Sequence, residues 1–181
     1  MKKLLFLTLI VTCFASFTYA QDALPEIELA NIDGEKVSME SFAENGKISV
    51  FTFWATWCAP CKKELSNIDE IYEDWQEDYN TEVIAVSIDN QRSVPKVKSY
   101  VNGQAWDYEV LLDTNQDLMR GLNFQNVPFT VVVDQKGNIS YRHSGYVDGD
   151  EFELEEHLEE LIEEAEAEEK EMKKDSESEE E

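Results

Sequence analysis

Ile48-Ser49-Val50-Phe51-Thr52-Phe53-Trp54-Ala55-Thr56-Trp57-Cys58-Ala59-Pro60-Cys61 carries two kinds of local instruction. The first seven residues are nearly all apolar, as in a strand buried on both faces of a sheet. From Lys62 onward, Leu65, Ile68, Tyr72, Trp75 and Tyr79 step by three and four, which predicts one amphipathic helix running to Tyr79. Cys58 and Cys61 therefore sit one turn apart where a strand gives way to a helix. A helix start leaves four N–H groups unpaired and carries a partial positive charge. That field favours thiolate over thiol, so Cys58 is expected to be partly ionised near neutral pH and able to attack a disulfide. Cys61 is placed to attack the resulting mixed disulfide and release the product. Pro60 falls in the first turn, where a missing N–H costs nothing. The spacing predicts redox chemistry.

The chain has 181 residues and three cysteines, enough for one domain with appendages. Met1-Lys2-Lys3, an apolar run from Leu4 to Phe17 and then Thr18-Tyr19-Ala20 before Gln21-Asp22 have the layout of a secretory signal peptide over residues 1–20. An uncleaved membrane anchor is the alternative, and lipidation at Cys13 a third reading, although Ile10-Val11-Thr12 lacks the small residue expected before a lipid-modified cysteine. Cleavage removes Cys13 and leaves Cys58 and Cys61 as the only pair. One pair closing so small a loop restrains the unfolded chain little, so it makes a poor staple. A zinc site would need further ligands, and His143 and His157 lie far downstream. No metal and no cofactor are expected.

Net charge is −25. Without residues 1–20 the chain keeps 13 Lys+Arg against 40 Asp+Glu, a net charge of −27, and residues 148–181 alone carry 19 acids and three lysines. Nucleic acid and anionic membrane surfaces are therefore excluded as expected partners.

Glu26-Ile27-Glu28-Leu29 and Lys36-Val37-Ser38-Met39 alternate around Asp33-Gly34, a hairpin pattern. Val83–Ile88 reads as a second buried strand, Ser93 to Gly103 as a short helix, and Val110-Leu111-Leu112 as a short strand. Thr114 to Asp117 has the spacing of a capping box. Phe129–Asp134 and Ile139–His143 flank Gln135-Lys136-Gly137-Asn138 as a hairpin, and from Asp150 a helix carries Leu154, Leu158, Leu161 and Ala165 on one face. The order predicts an α/β domain over residues 21–162 with a mixed sheet. Residues 163–181 are an acidic tail with almost nothing to bury, either a frayed continuation of the last helix or disordered. Its expected role is solubility, with cation or partner binding as the alternative.

Phe53-Trp54-Ala55-Thr56-Trp57-Cys58-Ala59-Pro60-Cys61, Val86-Ser87-Ile88-Asp89, Leu111-Leu112-Asp113, Val127-Pro128 and Val133-Asp134-Gln135-Lys136-Gly137 together resemble the thioredoxin superfamily. More narrowly they resemble its exported TlpA/ResA-like thiol-disulfide oxidoreductases. The resemblance runs from about Leu24 to Leu161. It implies a thioredoxin fold, a mixed central sheet flanked by helices, with an N-terminal β-hairpin extension. It also implies that Pro128 is cis and lies opposite the cysteines, where Val127 presents its backbone to a substrate strand. An ordinary trans proline opening a strand is the alternative. Trp57 would offer an apolar face to the incoming chain, and Trp54 is assigned to the core.

Glu64 lies three residues after Cys61 and shares its helix face with Ile68. A carboxylate on an apolar stripe has a raised pKa and can exchange a proton with a thiol. Thioredoxin itself carries a buried Asp in the preceding strand. The matching position here is Thr52, and the ResA-like pattern instead places its functional acid at Glu64. A half-exposed surface glutamate is the alternative. Ala59-Pro60 brings no cation to Cys58, which favours an electron donor over a strong oxidant.

The expectation is an exported, periplasmic, monomeric thiol–disulfide oxidoreductase acting on disulfides of exported proteins. By family resemblance these include apocytochrome c, and an upstream membrane electron donor would supply the enzyme. Cys58 attacks, Cys61 resolves, Glu64 manages protons, and Trp57, Pro60, Val127 and Pro128 meet the substrate. A peroxiredoxin-type peroxidase is the alternative enzyme, although that type pairs its Thr with a lone cysteine. A non-catalytic binding module is the alternative of another class, and retention of both cysteines argues against it.

Overall fold

The computed structural model describes residues 22–179, so the expected signal segment lies outside the described residues. Seven strands form a single sheet: β1 Glu28–Asn31, β2 Lys36–Ser38, β3 Ile48–Trp54, β4 Thr81–Ser87, β5 Glu109–Leu112, β6 Phe129–Val133 and β7 Ile139–Ser144. Their spatial order is β2-β1-β5-β4-β3-β6-β7. β3–β4 and β4–β5 pair in parallel; every other neighbour is antiparallel. The β1–β2 hairpin extends the sheet beyond β5, as expected. β3 lies inside the sheet between β4 and β6, and all seven of its residues are buried, as in a strand covered on both faces.

Six helices surround the sheet: α1 Glu40–Ala43, α2 Ala59–Asp69, α3 Tyr72–Tyr79, α4 Val94–Gln104, α5 Asp117–Gly121 and α6 Asp150–Glu179. Pleat alternation sends Phe51 and Phe53 to one face of the sheet and Thr52 and Trp54 to the other. On the first face Phe53 meets Phe124 and Phe129, and Phe51 meets Phe42 of α1 edge-on. On the second, Trp54 packs with Tyr100 and Trp106, and Trp106 with Tyr108. Gly137 in the β6–β7 turn has φ +84°, and a Cβ there would lie 2.9 Å from the Ala43 carbonyl oxygen. Glycine is required there on both counts.

The structure corrects the local reading at four places. The single helix expected to Tyr79 is two, because Ile71 leaves helical geometry (φ −121°, ψ 3°) between α2 and α3. Tyr72 and Trp75 keep the phase of the apolar stripe across the break, so periodicity did not reveal it. The capping box expected at Thr114 does not form. The Asp113 carboxylate instead accepts the N–H groups of Asp117 (2.7 Å) and Met119 (2.9 Å), opening α5. Gly103 lies inside α4, whose left-handed end residue is Ala105. α1 was not foreseen at all; four residues are too few to show a period. The acidic stretch, for which helix and disorder both stood open, continues α6 to Glu179.

Candidate active site

Cys58 is the residue that caps α2. Its backbone is extended (φ −87°, ψ 103°), and its sulfur accepts the N–H of Cys61 at 3.3 Å. The sulfur thus takes one of the donors that a helix start leaves unpaired. Pro60 sits in the first turn. Cys58 and Cys61 are joined in a disulfide with a Cα–Cα distance of 5.4 Å. Cys61 is fully buried and Cys58 retains 4% exposure, while Trp57 is 67% exposed and Ala59 and Pro60 are exposed beside it. Only an edge of the pair is open, and an apolar rim surrounds it.

The loop leading into Cys58 is tied from below by a residue whose role the sequence did not reveal. Asp89, buried just after β4, accepts the Thr56 N–H at 2.7 Å, the Thr56 hydroxyl at 3.0 Å and the Ser87 hydroxyl at 3.2 Å. Such charge-assisted bonds are short and strong. They fix the loop one residue before Trp57. The signal was present: an acid directly following a buried strand has to find donors.

The Val127–Pro128 bond is cis. Phe53 pairs with Phe129 in the β3–β6 register, so Pro128 stands just before β6, at the end of the sheet where β3 runs out into the cysteine loop. The Pro128 carbonyl is taken by the Gly145 N–H at 2.9 Å. Among the described residues the backbone of Val127 takes no backbone partner.

Glu64 is 4% exposed, on the inward face of α2 one turn beyond Cys61. The Thr130 hydroxyl of β6 donates to its Oε1 at 2.7 Å, while Oε2 is buried with no partner among the described residues. Burial pushes the Glu64 carboxyl up to about 8; the bond from Thr130 opposes this, and the charges of Asp150 and Glu151 add to it. Thr52, where thioredoxin has its Asp, is directly opposite Thr130 in the sheet and is fully buried. The acid therefore approaches the sheet from the helix instead of from the strand. Thr130 was missed, although a hydroxyl inside the apolar run Phe129–Val133 needs a partner.

Below Glu64 a cavity of about 10 Å³ is bounded by Thr130, His143 of β7, Tyr146, and Asp150 and Glu151 of α6. Glu151 accepts from the Tyr146 hydroxyl (2.7 Å), Asn67 (3.1 Å) and the Gly149 N–H (3.0 Å). Burial works against its charge, yet these bonds outweigh burial and hold the Glu151 carboxyl below its usual range. The two glutamates on one cavity are driven in opposite directions. Among the described residues, no group of three or more His, Cys, Asp or Glu side chains is arranged to hold a metal ion.

The sequence profile of the AhpC/TSA family matches residues 20–142. The chain belongs to the AhpC/TSA family. Within that thioredoxin-like family it is similar to the sporulation thiol-disulfide oxidoreductase A of Bacillus subtilis, 26% identical over 66% of this chain and 71% of that protein. It is also similar to the thiol-disulfide oxidoreductase ResA of Bacillus thuringiensis, 27% identical over 64% of each chain. A thioredoxin-like protein from Porphyromonas gingivalis superposes with a TM-score of 0.70 at 42% identity, covering 80% of this chain and 95% of that one. The thioredoxin-like fold of this AhpC/TSA chain thus recurs in a solved structure.

Proposed function

We propose that this thioredoxin-fold thiol–disulfide oxidoreductase is exported and reduces disulfides of exported proteins, with apocytochrome c among its candidate substrates and a membrane electron donor upstream. The observation that supports this most is Cys58 at the head of α2, bonded to Cys61 and ringed by exposed Trp57, Ala59 and Pro60. In the reduced enzyme the Cys58 thiolate attacks one sulfur of a substrate disulfide. A Cys58–substrate bond forms, and the first substrate thiolate leaves and takes a proton from solvent. Cys61 then gives its proton to Glu64 and attacks the Cys58 sulfur. The second substrate thiolate departs and takes a proton from solvent, and the enzyme is left as the Cys58–Cys61 disulfide with the Cys61 proton on Glu64. Trp57 and Pro60 give the substrate an apolar surface, and the unpaired backbone of Val127 beside Pro128 aligns it. The helix start stabilises the Cys58 thiolate without a cation in Ala59-Pro60, which suits a donor of electrons.

Reduction of a disulfide-bonded protein such as insulin, with Cys58→Ser as control, tests this reading. Turnover that survives Cys58→Ser would refute it. A peroxide-consumption assay tests the peroxidase alternative, against which the Thr56 hydroxyl already speaks, since it is committed to Asp89.

A further inference from the structure

Glu64 has to lose a proton before it can act as a base. A carboxyl titrating near 8 is protonated at neutral pH and must shed that proton before it can accept one from Cys61. Its Oε1 is held by Thr130, and its Oε2 is enclosed. Ile68 of α2 and Leu154 of α6 form an apolar floor to the cavity at this carboxyl.

The cavity is close to the size that holds one water, and it is lined by the polar partners such a water needs. Of its acids, Glu151 is saturated by Tyr146, Asn67 and Gly149. Asp150 differs. Its Oδ2 takes the Val147 N–H at 2.8 Å and faces His143 Nε2 at 3.2 Å, while its Oδ1 has no hydrogen-bond partner among the described residues. The side chains of His143 and Asp150 are 31% and 18% exposed, so this pair joins the cavity to solvent. The other titratable groups facing Glu64 are phenols: Tyr141 of β7, Tyr146 and, before β5, Tyr108. Burial and neighbouring charge push all three upward, away from neutral titration.

We propose that the His143–Asp150 pair is the gate through which Glu64 exchanges its proton with solvent, by way of one water between Glu64 Oε2 and Asp150 Oδ1. The proposal rests on reading Glu64 as the acid–base group of the cysteine pair. The proton leaves Glu64 Oε2 for the water, which passes one on to the Asp150–His143 pair, and the imidazole releases it outward; no electron moves. Imidazole suits the outer station because it has two ring nitrogens, so one can face Asp150 while the other faces outward. His143 is a positioning and relay residue; it does not touch the sulfurs.

The test is a single-turnover reaction of the full chain, reduced beforehand, with a disulfide-bonded peptide, quenched and weighed so that formation and resolution of the mixed disulfide are timed separately. In weak buffer His143→Ala should slow resolution by about tenfold, below the range of direct acid–base catalysis because His143 acts at one remove, and added imidazole should restore it. His143→Gln keeps a polar side chain that cannot titrate, so it should be equally slow. The double variant with Glu64→Gln should be no slower than Glu64→Gln alone. If Glu64→Gln slows resolution while neither His143 variant does, the gate is refuted and the acid–base reading stands. If His143→Ala is slow but imidazole does not restore it, the effect is structural and the gate is refuted. If Glu64→Gln itself resolves at the normal rate, the acid–base reading falls and the gate with it.

Discussion

The Glu64 carboxyl and the Thr130 hydroxyl, 66 residues apart in the chain, meet at 2.7 Å inside the molecule. The bond ties α2, the helix that carries Cys61, to β6, the strand that follows Pro128. It also decides how an acid can be kept there: one oxygen is partnered, the other is not, and burial holds the proton on.

Glu64→Gln should change how stability depends on pH. The carboxyl titrates at its ordinary 4.5 when unfolded and at about 8 when folded. Below the lower value it is neutral in both states; as pH rises through the folded value, the native state must carry a buried charge. The stability referable to Glu64 is therefore complete in acid and lost on the alkaline side, by an amount on the order of a few kcal/mol. Denaturant unfolding at about pH 5 and about pH 9 should show the wild type losing this stability relative to Glu64→Gln. Parallel curves would contradict the buried titration.

Thr130→Val keeps the shape of the side chain and removes the bond to Glu64. Since that bond opposes the upward shift, the Glu64 titration should move further up, and the pH profile of turnover with it. The lost bond should cost about 1 kcal/mol of stability. An unmoved profile would separate Glu64 from the rate.

Asp89→Ala leaves the Thr56 N–H and hydroxyl without their acceptor. Loss of charge-assisted bonds in a buried place should destabilise the protein by about 2–4 kcal/mol, read by denaturant unfolding. Turnover should fall as well, because the loop entering Cys58 is no longer fixed. Unchanged stability would show that water replaces the carboxylate at no cost.

Much of this was legible in the chain because it is local. Strand β3, the helix start at the cysteines and the inward face of Glu64 all follow from spacing within a few residues. Thr130 and Asp89 were not read as parts of the site, because their partners lie 66 and 33 residues away, and a lone hydroxyl or acid does not announce its acceptor or donor. The break at Ile71 was hidden because the apolar phase continues through it. The cap of α5 was misplaced by one residue, from Thr114 to Asp113, since either side chain suits the role on paper and only the turn before it decides.

Deleting residues 167–181 should leave cooperative unfolding and reduction of a small disulfide unchanged. Burial along α6 ends at Leu161, and the pairs Lys136–Glu168, Glu166–Lys170 and Glu169–Lys173 are exposed. Exposed ion pairs contribute little. A clear loss of cooperativity would assign the acidic end of α6 a structural role.

If Cys58 attacks and Cys61 resolves, removing Cys61 should trap the mixed disulfide on Cys58. Reduced Cys61→Ala is mixed with a disulfide-bonded peptide, and the product is digested and mapped by mass spectrometry. A stable adduct with the peptide on Cys58 is expected and, in the matching Cys58→Ala protein, little or none on Cys61, which is fully buried. Equal adducts on the two cysteines, or an adduct only on Cys61, would contradict it.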